Sequence, residues 1–131
     1  MSAKNTSKLL LFYIVLAFFS CQKNGKVDKK EFPNGSYLLI EYYENDRVKS
    51  KSNFAPDGLQ DGETIHYHPN GNIRQVLHYK MGEKYGASRG YHSNGYTDYV
   101  GSYKKNQQDS TWIWYSPYNN GQFISFIGNY N

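Results

Sequence analysis

A 24-residue repeat is the feature of this sequence that most constrains its fold. Tyr67, Tyr91 and Tyr115 are evenly spaced at this interval, and the turn pairs Asn70-Gly71 and Asn94-Gly95 have the same spacing. Self-similarity at a fixed period indicates that one small structural unit is used several times. We therefore expect units that pack against their neighbours along the chain and that are stable only as a series.

Each unit has the pattern of a β-hairpin. Residues 64–68 form a first short strand, the turn 69–72 contains an Asn-Gly pair that tolerates positive φ, and residues 73–79 form the returning strand. Another pair, Asn120-Gly121, comes two positions later than the spacing of the first two pairs predicts, which indicates a two-residue insertion in the last unit. Because one isolated hairpin is only marginally stable, several in series are expected to form one elongated antiparallel sheet.

The composition agrees with an all-β chain. From Cys21 onward there are 19 aromatic residues and only two alanines, Ala55 and Ala87, so a helical bundle lacks the residues that fill its core. The 131 residues allow one small domain and exclude a large α/β enzyme fold. We predict an all-β domain over residues 37–131, built as an antiparallel meander of repeated hairpins.

Several segments resemble MORN-type repeats in their bacterial variant. The resemblance is carried by YVGSYKKN at 99–106, by WIWY at 112–115, and by Gly86, Tyr91 and the pair Asn94-Gly95. It implies a meandering sheet of hairpins with a scaffold or binding role, usually without catalysis, and some members are linked to membranes and lipids. Related bacterial chains are often labelled antitoxin components, so an antitoxin-like or immunity-like partner of a toxin is one alternative.

The first 20 residues resemble an export signal. Lys4 and Lys8 precede an unbroken apolar run of 11 residues, Leu9 to Phe19, which is too short to cross a bilayer as a helix. Cys21, the only cysteine, directly follows Ser20 and resembles the acylated first residue of bacterial lipoproteins. We therefore predict a cleaved signal at 1–20, a lipid on Cys21, and a location in the bacterial cell envelope, with the outer membrane favoured.

A polar segment separates Cys21 from the repeats. Residues 22–32 have no apolar period and contain four lysines against two acids, so we expect residues 21–36 to be a flexible tether. From Pro33 onward nine basic residues balance nine acidic residues, and the formal charge of +4 therefore belongs to the leader and this segment. A neutral domain argues against a nucleic-acid partner.

Three histidines offer a weak metal hypothesis. His66 and His68 are two residues apart on a predicted strand and should share one face, while His92 occupies the repeat position of His68. Three imidazoles and a water form a known zinc arrangement. The simpler interpretation is that these histidines decorate an exposed hairpin face, so we predict no metal, no cofactor and no catalytic residue.

The densest aromatic cluster is Trp112, Trp114, Tyr115 and Tyr118, near the end of the chain. Exposed indoles are favoured anchors for protein partners and sugars, so this cluster is a candidate partner surface. Alternatively, these rings shield the open end of the sheet, as capping units do in repeat proteins. Residues 124–127 are also predicted to form an exposed edge strand that can pair with another strand.

The predicted function is that of a membrane-anchored envelope lipoprotein. Its repeat sheet would act as a protein-interaction or scaffold module without catalysis, bound to a protein partner that the sequence does not identify. The alternatives are a metal- or carbohydrate-binding envelope protein and the toxin partner already mentioned.

Overall fold

The computed structural model describes residues 25–118 and 124–130, and these residues form one open antiparallel sheet. Strands follow one another across the sheet in chain order, except that the two-residue strand β6 pairs only with β5. The strands are β1 Val27–Glu31, β2 Tyr37–Tyr42, β3 Val48–Phe54, β4 Gln60–Tyr67, β5 Ile73–Lys80, β6 Glu83–Lys84, β7 Gly86–Tyr91, β8 Thr97–Lys104, β9 Gln107–Tyr115 and β10 Ile124–Tyr130.

The predicted all-β meander is confirmed, and the hairpin predicted at 64–79 is the pair β4 and β5. Among the described residues no helix is long and apolar enough to cross a membrane. The predictions for residues 1–20, for the acylation of Cys21 and for the turn at Asn120-Gly121 lie outside the described residues.

The segment predicted as a flexible tether contains a strand, so that prediction is wrong for Val27–Glu31. These five residues pair antiparallel with β2, from Val27 opposite Glu41 to Glu31 opposite Tyr37. Every residue of β1 is exposed, and its polarity indicated a solvated segment. An edge strand needs only backbone hydrogen bonds on one side, so a charged sequence can occupy it.

One turn motif recurs five times. The motif has five residues. The N–H of the first residue donates to the carbonyl of the fifth, as His68 does to Asn72 at 2.8 Å. The N–H of the fourth residue donates to the carbonyl of the first, as Gly71 does to His68 at 2.9 Å. The Asn or Asp at the third position accepts from the fifth N–H, as Asn70 does at 3.0 Å from Asn72. The five turns are 32–36, 43–47, 55–59, 68–72 and 92–96.

Side-chain hydrogen bonds link the turns 43–47, 68–72 and 92–96, which lie on one side of the sheet. The Tyr43 hydroxyl donates to the carbonyl of Tyr67 at 2.6 Å, and the Arg47 guanidinium donates to the carbonyl of Pro69 at 2.9 Å. Asn70 Nδ2 donates to the carbonyl of Ser93 at 2.7 Å. Side chains about one repeat apart therefore fix the turns of neighbouring hairpins to each other.

The front face of the sheet contains its small core. We define this face by the side chains of Ser52, Thr64, Leu77 and Trp112, all of which are buried. Only Leu77 and Trp112 are buried apolar residues among the described ones, with 3% and 2% exposed. Because the described residues form a single sheet, there is no second layer against which large side chains can be buried. Aromatic rings instead lie against the sheet and cover small residues on it.

Two glycines provide the space for these rings. A Cβ at Gly90 would clash with ring carbons of Tyr99, and a Cβ at Gly101 would clash with indole carbons of Trp112. Gly90 is opposite Tyr99 on the neighbouring strand. The missing side chains therefore allow the aromatic rings to lie against the backbone, as happens when an aromatic residue covers a strand glycine.

We expect Gly101→Ala to destabilise the fold by about 2 kcal/mol or more, because the added methyl group must displace the Trp112 ring. Urea unfolding measures the loss, and a red shift of tryptophan emission in the folded state reports exposure of the indole. Gly71→Ala is the control, since its Cβ would meet no atom within 4 Å, although its φ of +95° is strained. Gly71→Ala should leave the emission unchanged; unchanged stability and emission in Gly101→Ala would contradict the proposed contact.

Candidate interaction surfaces

Trp112 belongs to the core, so its assignment to an exposed partner surface is wrong. Its ring is 2% exposed and lies 5.0 Å from the ring of Tyr103 and 5.4 Å from that of Tyr99, between centroids. Its Nε1–H donates to the carbonyl of Ser102 at 3.0 Å. The burial depends on Gly101, a residue of the adjacent strand.

The other three predicted aromatics do not form one surface. Trp114 lies on the front face, half-buried, with its ring 5.7 Å from Trp112 and 5.2 Å from Phe126. Tyr115 points to the opposite face because it is the next residue along β9. Tyr118 lies beyond the end of β9 and is 76% exposed. Of the four predicted aromatics, only Trp114 therefore presents a partly exposed ring on the front face, beside Phe126.

The back face carries a line of aliphatic side chains across the sheet. Strand register places Ile65 opposite Val76, and Val100 opposite Ile113, which in turn lies opposite Ile127. We call this set the aliphatic row, and its members are Ile40, Ile65, Val76, Val100, Ile113 and Ile127. The first five are half-buried and Ile127 is 51% exposed.

Two cations interrupt the aliphatic row. Lys51 lies between Ile40 and Ile65, and Arg89 lies between Val76 and Val100. No described element covers the row, because the extensive contacts in the described part join strands that lie side by side in the sheet. A packed domain normally buries such a face against a second layer. The back face is therefore mainly aliphatic along this row, as a domain core is, but no second layer of the described residues packs against it.

Beside Arg89 the row contains a hollow of about 270 Å³. It forms where β5 and β7 pair over only two positions, because the short strand β6 takes the remaining length of β5. Its walls are Val76, His78, Ala87 and Val100 with Arg89 at the side. The hollow is mostly apolar and suits an aliphatic or aromatic side chain of a partner.

Sequence reasoning missed the aliphatic row. The signal was present, since Ile65, Arg89 and Ile113 recur at the interval of the repeat, and Val76 and Val100 do so as well. These residues can be recognised as one row only when the neighbouring strands and their register are known. The turn motif at 32–36 and 55–59 was likewise present as Pro-Asn-Gly and Pro-Asp-Gly.

The three histidines do not form the predicted row. β4 ends at Tyr67 after a register shift, so His68 begins the turn and does not share a strand face with His66. His68 Nε2 is 2.8 Å from the carbonyl oxygen of Tyr91, and His92 Nε2 is 3.5 Å from Asp98 Oδ1. Within residues 25–118 and 124–130 no group of three or more His, Cys, Asp and Glu side chains is arranged to hold a metal ion.

His66 lies on the front face between Ser50 and Gln75. Burial lowers the pKa of its imidazole from the ordinary value, and the positive charge of Arg74 lowers this pKa further. The neighbouring carboxylate of Glu41 acts in the opposite direction but has the smaller effect. His66 is therefore held in its neutral form over a wider pH range in the folded chain than in the unfolded chain.

A scan of the chain against protein-family models finds no match, and a search of curated proteins finds no relative. The resemblance to MORN-type repeats therefore stays a prediction, based on the quoted segments of the sequence.

The pKa shift of His66 predicts a pH dependence of stability. Below about pH 6.5 the unfolded chain binds a proton at this site while the folded chain resists it, so the free energy of unfolding should fall between pH 7 and pH 5. Urea unfolding across this range measures the decline, which should be smaller in His66→Gln. His78→Gln, which removes an exposed histidine, should retain it; equal declines in the wild type and His66→Gln would contradict the prediction.

Proposed function

We propose that this protein is a membrane-anchored cell-envelope lipoprotein whose repeat sheet is a non-catalytic protein-interaction module. The observation that supports it best is the uncovered aliphatic row, which crosses the sheet from β2 to β10. A partner that supplies the missing second layer would bury these side chains. Each half-exposed aliphatic group would then contribute on the order of 1 kcal/mol to binding.

The cations within the row would give such an interaction its specificity. Lys51 and Arg89 are flanked by aliphatic side chains on the neighbouring strands. A partner that buries the row must also provide acceptors for these two charges, because an unpaired buried charge is costly. We therefore expect a partner surface that is apolar with acidic groups at matching positions.

Anchoring through Cys21 would keep the sheet close to a membrane. Only residues 22–26 separate Cys21 from the first residue of β1. Six residue steps span at most roughly 20 Å even when fully extended. Because β1 is part of the sheet, the sheet would lie closer to the membrane than it would with a tether that extends to residue 36.

The partner surface can be tested by charge substitution within the row. Ile65→Arg should lower recovery of the bound protein by roughly tenfold in a crosslinking pull-down from native envelopes, which corresponds to about 1.4 kcal/mol. The fold should tolerate this change, because Arg89 occupies the same position one repeat later. Leu59→Arg is the matched control, since Leu59 is an exposed apolar residue outside the row.

The anchor is tested in the same cells. Wild-type protein should incorporate labelled fatty acid and sediment with membranes, and Cys21→Ser should lose both properties because it lacks the acylated thiol. A protein partner captured equally by the wild type and Ile65→Arg would refute the row as the binding surface. Absence of label from the wild type would refute the lipoprotein assignment, and capture of glycan alone would favour a carbohydrate-binding role.

A further inference from the structure

The two edge strands of the sheet differ in their chemistry. β1 has the sequence VDKKE, in which four of five residues are charged. Lys29 Nζ also lies 4.1 Å from the ring centroid of Tyr37 on the neighbouring strand. Charged side chains, lysine above all, are a common means by which proteins prevent edge strands from pairing with other chains.

β10 has none of this protection. Its sequence is ISFIGNY, without a charged residue or a proline, and among the described strands it pairs only with β9. Ile124, Phe126 and Ile127 are 54%, 57% and 51% exposed. A long, uncharged and apolar edge strand is a template for pairing with another strand.

The sequence of β10 is compatible with pairing to itself. In an antiparallel pair related by a two-fold axis normal to the sheet, opposite residues point to the same face. The axis must therefore run between the two strands, midway between one residue and the same residue of the second copy. An axis beside Ile127 pairs Phe126, Ile127 and Gly128 in regular alternation, and the register shift between Ile124 and Phe126 lies outside these three residues. It sets Phe126 opposite Gly128 of the second copy, so that an aromatic ring again meets a strand glycine.

This arrangement would also continue the aliphatic row. Ile127 is the last member of the row and lies opposite Ile113 in the register of β9 and β10. Across the axis Ile127 would face Ile127 of the second copy, and the row would pass into that copy on the same face. The two sheets would then present one aliphatic surface of twice the length.

We propose that this protein forms a two-fold symmetric homodimer by antiparallel pairing of β10 with β10 of a second copy, centred on Ile127. The dimer joins the two sheets edge to edge and leaves the charged β1 strands at its outer ends. It does not depend on the lipid or on the partner of the back face, since the pairing uses only the backbone and side chains of the edge.

Disulfide crosslinking tests the register. In a Cys21→Ser chain, Ile127→Cys should give on oxidation at least about tenfold more covalent dimer than Val27→Cys, because directly opposite residues in an antiparallel pair have Cα atoms within disulfide range. Val27 is the matched control, an aliphatic residue on the other edge strand that is 52% exposed, against 51% for Ile127. Prior unfolding in urea should abolish the difference between the two variants.

A charge at the same position tests the interaction without a covalent bond. Ile127→Lys should convert the dimer to a monomer in sedimentation analysis, since the axis would place the two lysines opposite each other, while Val27→Lys should leave the dimer intact. A wild-type chain that remains monomeric, preferred crosslinking through Val27→Cys, or a strand from another protein in place of the second copy would each overturn the proposal. Loss of membrane anchoring or of the back-face partner with the dimer intact would refute only the proposed function.

Discussion

Pairing between adjacent strands is the interaction on which the rest of this structure depends. With no second layer over the described residues, the sheet has only Leu77 and Trp112 as buried apolar side chains among them. The repeated turn fixes where five of the hairpins reverse, and hydrogen bonds such as that from Asn70 to the carbonyl of Ser93 connect one turn to the next. Register is decisive here, because a slip of one residue would exchange the front and back faces.

Correct register creates two unlike faces from the same strands. On the front face, rings lie over the glycines and small residues of neighbouring strands, as Trp112 does over Gly101. On the back face, β-branched side chains such as Ile65 and Val76 stand opposite each other and stay half-exposed. The front face thus contains the buried side chains of the sheet, and the back face contains aliphatic side chains that no described element covers.

The two edge strands of the sheet also differ from each other. β1 is a charged, solvent-exposed edge strand, although its composition is that of a solvated linker. Backbone pairing with β2 is sufficient to order it, since an edge strand does not have to bury its side chains. β10 carries no such charges, so the two edge strands of the sheet differ in their chemistry.

The sequence by itself determined the antiparallel meander of hairpins, though not the edge strand β1, because its signals are local. Regular spacing of the repeated tyrosines, Asn-Gly pairs such as Asn70-Gly71 and alternation within short segments specify hairpins in series, and the sheet follows from them. Only the tertiary structure decided which side chains are buried and which are exposed. Burial of Trp112 requires Gly101 from the adjacent strand, and the register shift after His66 places His68 in a turn. The aliphatic row exists only across strands, because residues distant in sequence become neighbours through register alone.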